Sequence, residues 1–149
     1  MQNLFLLLTL FAWSATIPAS ATQHKQESDP GEKQIRVLLI DGQNNHDTWK
    51  EGSTLIRSEL EATGLFKVEI ARTPEAGQPM ESFKPDFSKY DVIVSNYNGD
   101  LWPEATQKAF ERFVHQGGGF VVVHAADNAF PDWKAYNQMT GIGGWNGRT

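Results

Sequence analysis

The sequence has no cysteine. That excludes disulfides, thiolate metal sites and a cysteine nucleophile. A lipoprotein anchor, which needs a cysteine at the cleavage site, is therefore not expected. A basic cluster is missing too. Lys and Arg number 13 against 18 Asp and Glu, for a net charge of −5, so nucleic acid is not an expected partner. The longest apolar run, Leu4–Trp13, is too short to span a bilayer comfortably. No phosphate-binding P-loop, Gly-x-Gly-x-x-Gly fingerprint or Gly-x-Ser-x-Gly elbow is present. Gly117-Gly118-Gly119 precedes a strand pattern instead of following one, so it is not a phosphate loop.

What is present begins with a separable N-terminus. Leu4–Trp13 leads to Ala19-Ser20-Ala21, a small-x-small cleavage pattern, and then to the polar stretch Thr22–Lys33. The first three residues carry no Lys or Arg, yet the order of segments is that of a signal peptide, residues 1–21, cleaved after Ala21. A secreted or periplasmic protein is expected, with no membrane contact after cleavage. Residues 22–34, with Pro30-Gly31, read as a disordered linker.

The remaining chain alternates strand and helix patterns. Ile35–Ile40 is an apolar, β-branched strand, and Thr48-x-x-Glu51 is a capping box opening a helix that runs to Ala62 and stops at Gly64. Trp49, Ile56 and Leu60, with Leu55 beside them, form its inward stripe. Phe66–Ala71 alternates as a strand near the sheet edge does. Thr73–Asp86, with three prolines, reads as a loop: a flap or site wall, or an ordinary surface excursion. Tyr90–Ser95 is a third strand. A helix follows with Pro103 in its first turn and Ala109, Phe110, Phe113 and Val114 buried. Phe120–Val123 reads as a fully buried central strand. Asp132 is placed to cap a short helix, Trp133–Met139. The alternation predicts an α/β domain: a flavodoxin-like parallel sheet of order 2-1-3-4, with helices on both faces. The chain stops just after a glycine-rich stretch, Gly141–Thr149, so the domain, residues 35–149, is expected to be a fragment with its C-terminal part missing.

Polar side chains crowd the carboxyl ends of three strands. The first carries Asp41, Gln43, Asn44, Asn45 and His46; the third Asn96, Tyr97, Asn98 and Asp100; the fourth His124, Asp127 and Asn128. In a 2-1-3-4 sheet these ends are adjacent. Such groups suit a ligand rich in hydroxyls, because each offers a donor or an acceptor. Asn and Asp also favour strand–helix turns for purely local reasons. Trp49, Trp102, Trp133 and Trp145 are near enough in sequence to pack on a sugar face, or to be core. His124 and His46 are the candidates for acid–base work near neutral pH, with Asp127 as a third catalytic group. The same pair could instead ligate a divalent metal together with Asp41 or Asp127. Asp41, Asn45, Asn96, Asn98 and Asn128 are the substrate-binding candidates. The cofactor, the metal and the oligomeric state are not fixed by these residues.

Four segments together resemble a known family: Ile35–His46 (IRVLLIDGQNNH), Tyr90–Asp100 (YDVIVSNYNGD), Gly117–Asn128 (GGGFVVVHAADN) and Gly141–Arg148 (GIGGWNGR). In that order they look like a ThuA-like, trehalose-utilisation domain. The resemblance implies a class I glutamine amidotransferase-like fold without amidotransferase activity. His124 falls near the turn where amidotransferases keep their cysteine, and this chain has none. It implies carbohydrate metabolism, with small-molecule carbohydrates, trehalose-like or keto-oxidised disaccharides, as the partners. It also implies that relatives continue past the glycine-rich tail. Three readings stand: an exported sugar-active enzyme whose reaction class is unresolved, a non-catalytic carbohydrate-binding or scaffold module, and an incomplete, non-functional fragment.

Overall fold

The computed structural model describes residues 33–142. The expected signal peptide, most of the linker and the end of the glycine-rich tail, Trp145 included, lie outside the described residues.

Strand β1 (Ile35–Asp41) is the middle of the fold. Val37 to Asp41 are all buried, because apolar residues stand on both faces and a layer packs on each. It pairs in parallel with β2 (Phe66–Arg72), Ile35 opposite Phe66. On its other side it pairs in parallel with β3 (Val92–Ser95), Val37 opposite Val92. Strand β4 (Gly119–Val122) extends β3, Val92 opposite Gly119. The order β2-β1-β3-β4 is the expected one.

Alternate side chains of these strands feed two cores. Val37, Leu39, Val68 and Val94 meet Ile56 and Leu60 of helix α1 (Trp49–Ala62). Leu38, Ile40 and Ile93 meet a thicker aromatic layer built from helix α2 (Glu104–His115), helix α3 (Lys134–Thr140) and the segment before β3. Trp102 is its hub, with ring centroids of Phe83 and Phe130 at 5.1 and 5.3 Å. Thus Trp102 and Trp133 serve the core, as does Tyr136, whose hydroxyl donates to the Ala126 carbonyl at 2.6 Å.

Five local expectations are corrected. The Thr48 side chain makes no capping hydrogen bond, so the capping box does not form. The buried residue of α1 is Ser53, whereas Leu55 is exposed and Trp49 half-buried. The segment 73–86 is no free flap: Met80 and Phe83 are in the aromatic core, and Thr106 donates to the Phe83 carbonyl at 2.7 Å. Asp132 does not cap α3, whose N-cap is Trp133. Strand β4 is an edge strand among the described residues, with Val121 48% exposed. Its continuous apolarity was read as burial on both faces, but only the face carrying Phe120 and Val122 is covered by the aromatic layer.

At the amino-terminal end of the strands, Arg36 grips Asp91. The Arg36 backbone N–H and Nε donate to Oδ2 at 2.8 and 3.1 Å, and Nη2 donates to Oδ1 at 2.8 Å. These bonds hold the Asp91 carboxyl well below the usual carboxylate range. An unfolded aspartate titrates near about 3.9. The stabilisation is therefore whole above that pH and is lost as pH falls toward the depressed native value. Asp91→Asn should flatten the loss of stability between about pH 4 and pH 2, read as urea midpoints against pH. A slope equal to the parent's would show that solvent screens this half-exposed pair to insignificance.

Candidate functional site

Three loops at the carboxyl ends of β1, β2 and β3 are laced together by one amide. Gln43 Nε2 donates to the Pro74 carbonyl at 2.9 Å and to Asp100 Oδ2 at 3.3 Å, and its Oε1 accepts from the Asp100 N–H at 2.8 Å. Asp100 Oδ2 also accepts from the Gly77 N–H at 2.7 Å. Glycine is required twice here. Gly42 has φ +127°, and a Cβ on Gly99 would overlap Gln43 itself. Burial pushes the Tyr97 phenol well above its ordinary value, so it stays protonated and donates to the Asp100 carbonyl at 2.7 Å.

Behind the rim, Asp41 is fully buried. Arg72 Nε and Nη2 donate to its two oxygens, each at 2.9 Å, and the same guanidinium lies 5.1 Å from the Trp49 ring centre. Asp41 was expected to meet substrate hydroxyls; instead both of its oxygens are occupied by Arg72. Asn96, expected in the same role, is buried. Its Nδ2 donates to the Trp49 carbonyl at 3.1 Å and to Ser53 Oγ at 3.0 Å. It staples the first turn of α1 to the end of β3.

On the rim, the strand ends bring the two histidines together. Asn44 Oδ1 accepts from the His46 N–H at 3.0 Å, while its Nδ2 donates to the Asn96 carbonyl at 3.2 Å. This Asx turn presents His46 to solvent. The ladder continues past β4 as Val123 N–H donates to the Ser95 carbonyl at 2.9 Å. The chain then breaks into a 3-10 turn, His124–Asn128, whose first residue takes φ +47°. His124 is the one non-glycine residue with positive φ among those described. Both imidazoles are exposed, with ring centroids 4.8 Å apart and planes tilted by 34°. A cavity of about 270 Å³ opens beside them, lined also by Trp49, Gly52, Ile56 and Val123.

The remaining candidates form a second group on the rim. Asn98 Nδ2 reaches Asn45 Oδ1 at 3.5 Å and Asn128 Oδ1 at 3.4 Å. These long contacts leave the three amides available to a ligand. Asp127 is half-buried and, among the described residues, bonds to neither imidazole. Two imidazoles supply two of the three protein donors usual in a catalytic zinc site. Among the described residues no group of three His, Cys, Asp or Glu is gathered to hold a metal. A larger depression, about 530 Å³ between α2 and α3, touches neither His46 nor His124. Arg72, Gly52 and Val123 were not among the site candidates legible in the sequence. Arg72 lies one residue beyond the expected second strand, and nothing in its local pattern announces its hold on Asp41.

An open parallel sheet of this order, with its polar loops gathered at the carboxyl ends, is a flavodoxin-like α/β domain. The family model ThuA, described as trehalose utilisation, matches residues 36–148, and the chain belongs to that family. It is similar to a solved ThuA-like protein from Parabacteroides merdae, at 46% identity with a TM-score of 0.74, over 78% of this chain and 41% of that one. A second ThuA-like protein, from Bacteroides uniformis, is 21% identical with a TM-score of 0.52, over 76% of this chain and 46% of that one, and shares the fold. The chain thus spans less than half the length of these solved relatives. No curated protein matches it.

The left-handed conformation at His124 has a measurable cost. It amounts to about 1–2 kcal/mol for a residue with a Cβ, while glycine gives back roughly 0.5–1 kcal/mol in chain entropy. His124→Gly should therefore be at least as stable as the parent and more stable than His124→Ala, by urea unfolding. The reverse ranking would mean that the side chain, not the backbone, governs stability at this turn.

Proposed function

We propose that this ThuA-family protein is exported and processes a carbohydrate, a trehalose-like or keto-oxidised disaccharide, through a site built on His46 and His124. His124 acts as general base and His46 as its acid partner. Asp127 adjusts the field near them. Asn45, Asn98 and Asn128 bind hydroxyls, and Asp41 and Asn96 hold the site from behind.

The observation that carries this reading is the histidine pair itself. Two exposed imidazoles meet at 4.8 Å, one of them on a backbone in the left-handed region. Strain of this kind persists where the surroundings over-determine it, and it clusters at functional sites. The description of the family supports a sugar as the ligand. Export is supported by the Leu4–Trp13 run and the Ala19-Ser20-Ala21 pattern. A non-catalytic carbohydrate-binding module is the second reading. It is favoured by the absence, among the described residues, of a carboxylate orienting either imidazole, which acid–base histidines commonly have.

His46→Ala and His124→Ala should each lower turnover of trehalose or a keto-oxidised disaccharide by about 10²–10⁴-fold, the usual worth of a positioned acid or base. Circular dichroism should report an unchanged fold. Undiminished turnover in either variant removes that residue from the chemistry. Sugar binding by the parent without any turnover would establish the module instead. Mass spectrometry of protein recovered from outside the cytoplasm should find Thr22 as the first residue, and an intact Met1 would sink the export reading.

A further inference from the structure

One wall of the cavity beside the histidines is the start of α1, and in that wall stands a glycine with no structural need to be one. Gly52 lies inside the helix with ordinary helical backbone. A Cβ added there would meet only Asn96 Nδ2, at 3.6 Å, an ordinary van der Waals contact. Gly42 and Gly99 are different, since an added Cβ overlaps Thr73 in one case and Gln43 in the other. Glycine is the weaker helix former and exposes backbone that alanine would cover. Among the described residues nothing fills the space it leaves. That space belongs to the cavity.

We infer that Gly52 is a specificity-determining residue: its bare backbone forms a slot, between Trp49 and Ile56, that admits a single pyranose ring. The inference rests on the reading that this cavity is a carbohydrate site. The lining of the cavity is mixed: Trp49, Ile56 and Val123 are apolar, and the two imidazoles with Asn44, Thr48 and Asn96 are polar. A pyranose has the matching character, with C–H groups on its face and hydroxyls at its edge. The C–H face lies on the helix wall and the hydroxyl edge turns to His46 and His124. Size sets the limit at one ring. About 270 Å³ falls below the roughly 300–1,000 Å³ of sites that take larger ligands. The second ring of a disaccharide then sits outside the slot, toward Asn45, Asn98 and Asn128.

Gly52→Ala is the test, made in the full chain and probed with glucose, methyl α-glucopyranoside and trehalose. The alanine variant should melt a few degrees higher than the parent, because a helix position gains a better former and no packing is lost. Its affinity for the probes, by calorimetry, should fall about tenfold or more, the usual effect of one methyl group intruding on a fitted pocket. In the parent, the probes should shift the NMR signals of the Gly52 amide and the Trp49 indole together with those of both imidazoles. Shifts at the imidazoles with none at Gly52 and Trp49, or unaltered affinity in the variant, overturn the slot and leave the sugar site standing. No shift at any of these groups with any probe overturns both. A lower melting temperature for the variant also overturns the inference, since the glycine would then be serving packing.

Discussion

The parallel pairing of β1 with both of its neighbours is the constraint on which the site depends. Val37 to Asp41 are buried on both faces, so a slip of one residue would turn Val37 and Leu39 away from α1 and Leu38 and Ile40 away from the aromatic layer. The register is therefore held by two cores at once. Once it is held, Ile40 lies level with Ser95 and Ser95 with Val122. The loops that follow these residues emerge side by side, and the imidazoles of His46 and His124 come within 4.8 Å.

Above that register the rim is fixed by polar groups that have little freedom left. Gln43 and Asp100 lock three loops with four hydrogen bonds between them and the backbone. Asn96 fastens α1 to β3, and Arg72 occupies Asp41 while lying over Trp49. Buried polar groups are costly unless paired, so hydrogen bonds of this kind rigidify what they hold. Rigidity below is what lets strain persist above, at the left-handed His124. The amides left loosely bonded, Asn45, Asn98 and Asn128, are those on the open side of the rim. Residues of one type at neighbouring strand ends thus divide into structural and available groups according to whether a backbone partner stands beside them.

The layered fold was legible because its signals are periodic and local. The apolar run of β1, the alternation of β2 and the paired phenylalanines of α2 each report which face meets a core. The expected strand order also held, since strand–helix alternation leaves few ways to lay down a parallel sheet. The errors fall where the signal is local but the outcome is not. Thr48 and Asp132 have good capping side chains, yet neither caps: Thr48 stands at the N-cap with backbone angles, φ −91° and ψ 18°, outside the extended range the bond favours, and Asp132 lies one residue ahead of the N-cap, Trp133. The loop from Thr73 to Asp86 shows no period, yet Met80 and Phe83 are core, because single anchor residues leave no pattern. An apolar run such as β4 looks the same whether one face is covered or two.

By itself the sequence determined the succession of strands and helices, the parallel sheet, and the concentration of His, Asn and Asp at strand ends. The three-dimensional fold alone decided that two distant histidines would face each other, that Asp41 would be taken by Arg72, and that a helix glycine would border a cavity. The physical reason is one of range. Burial preference is written into each short stretch, whereas a contact between distant residues depends on the register of every strand between them.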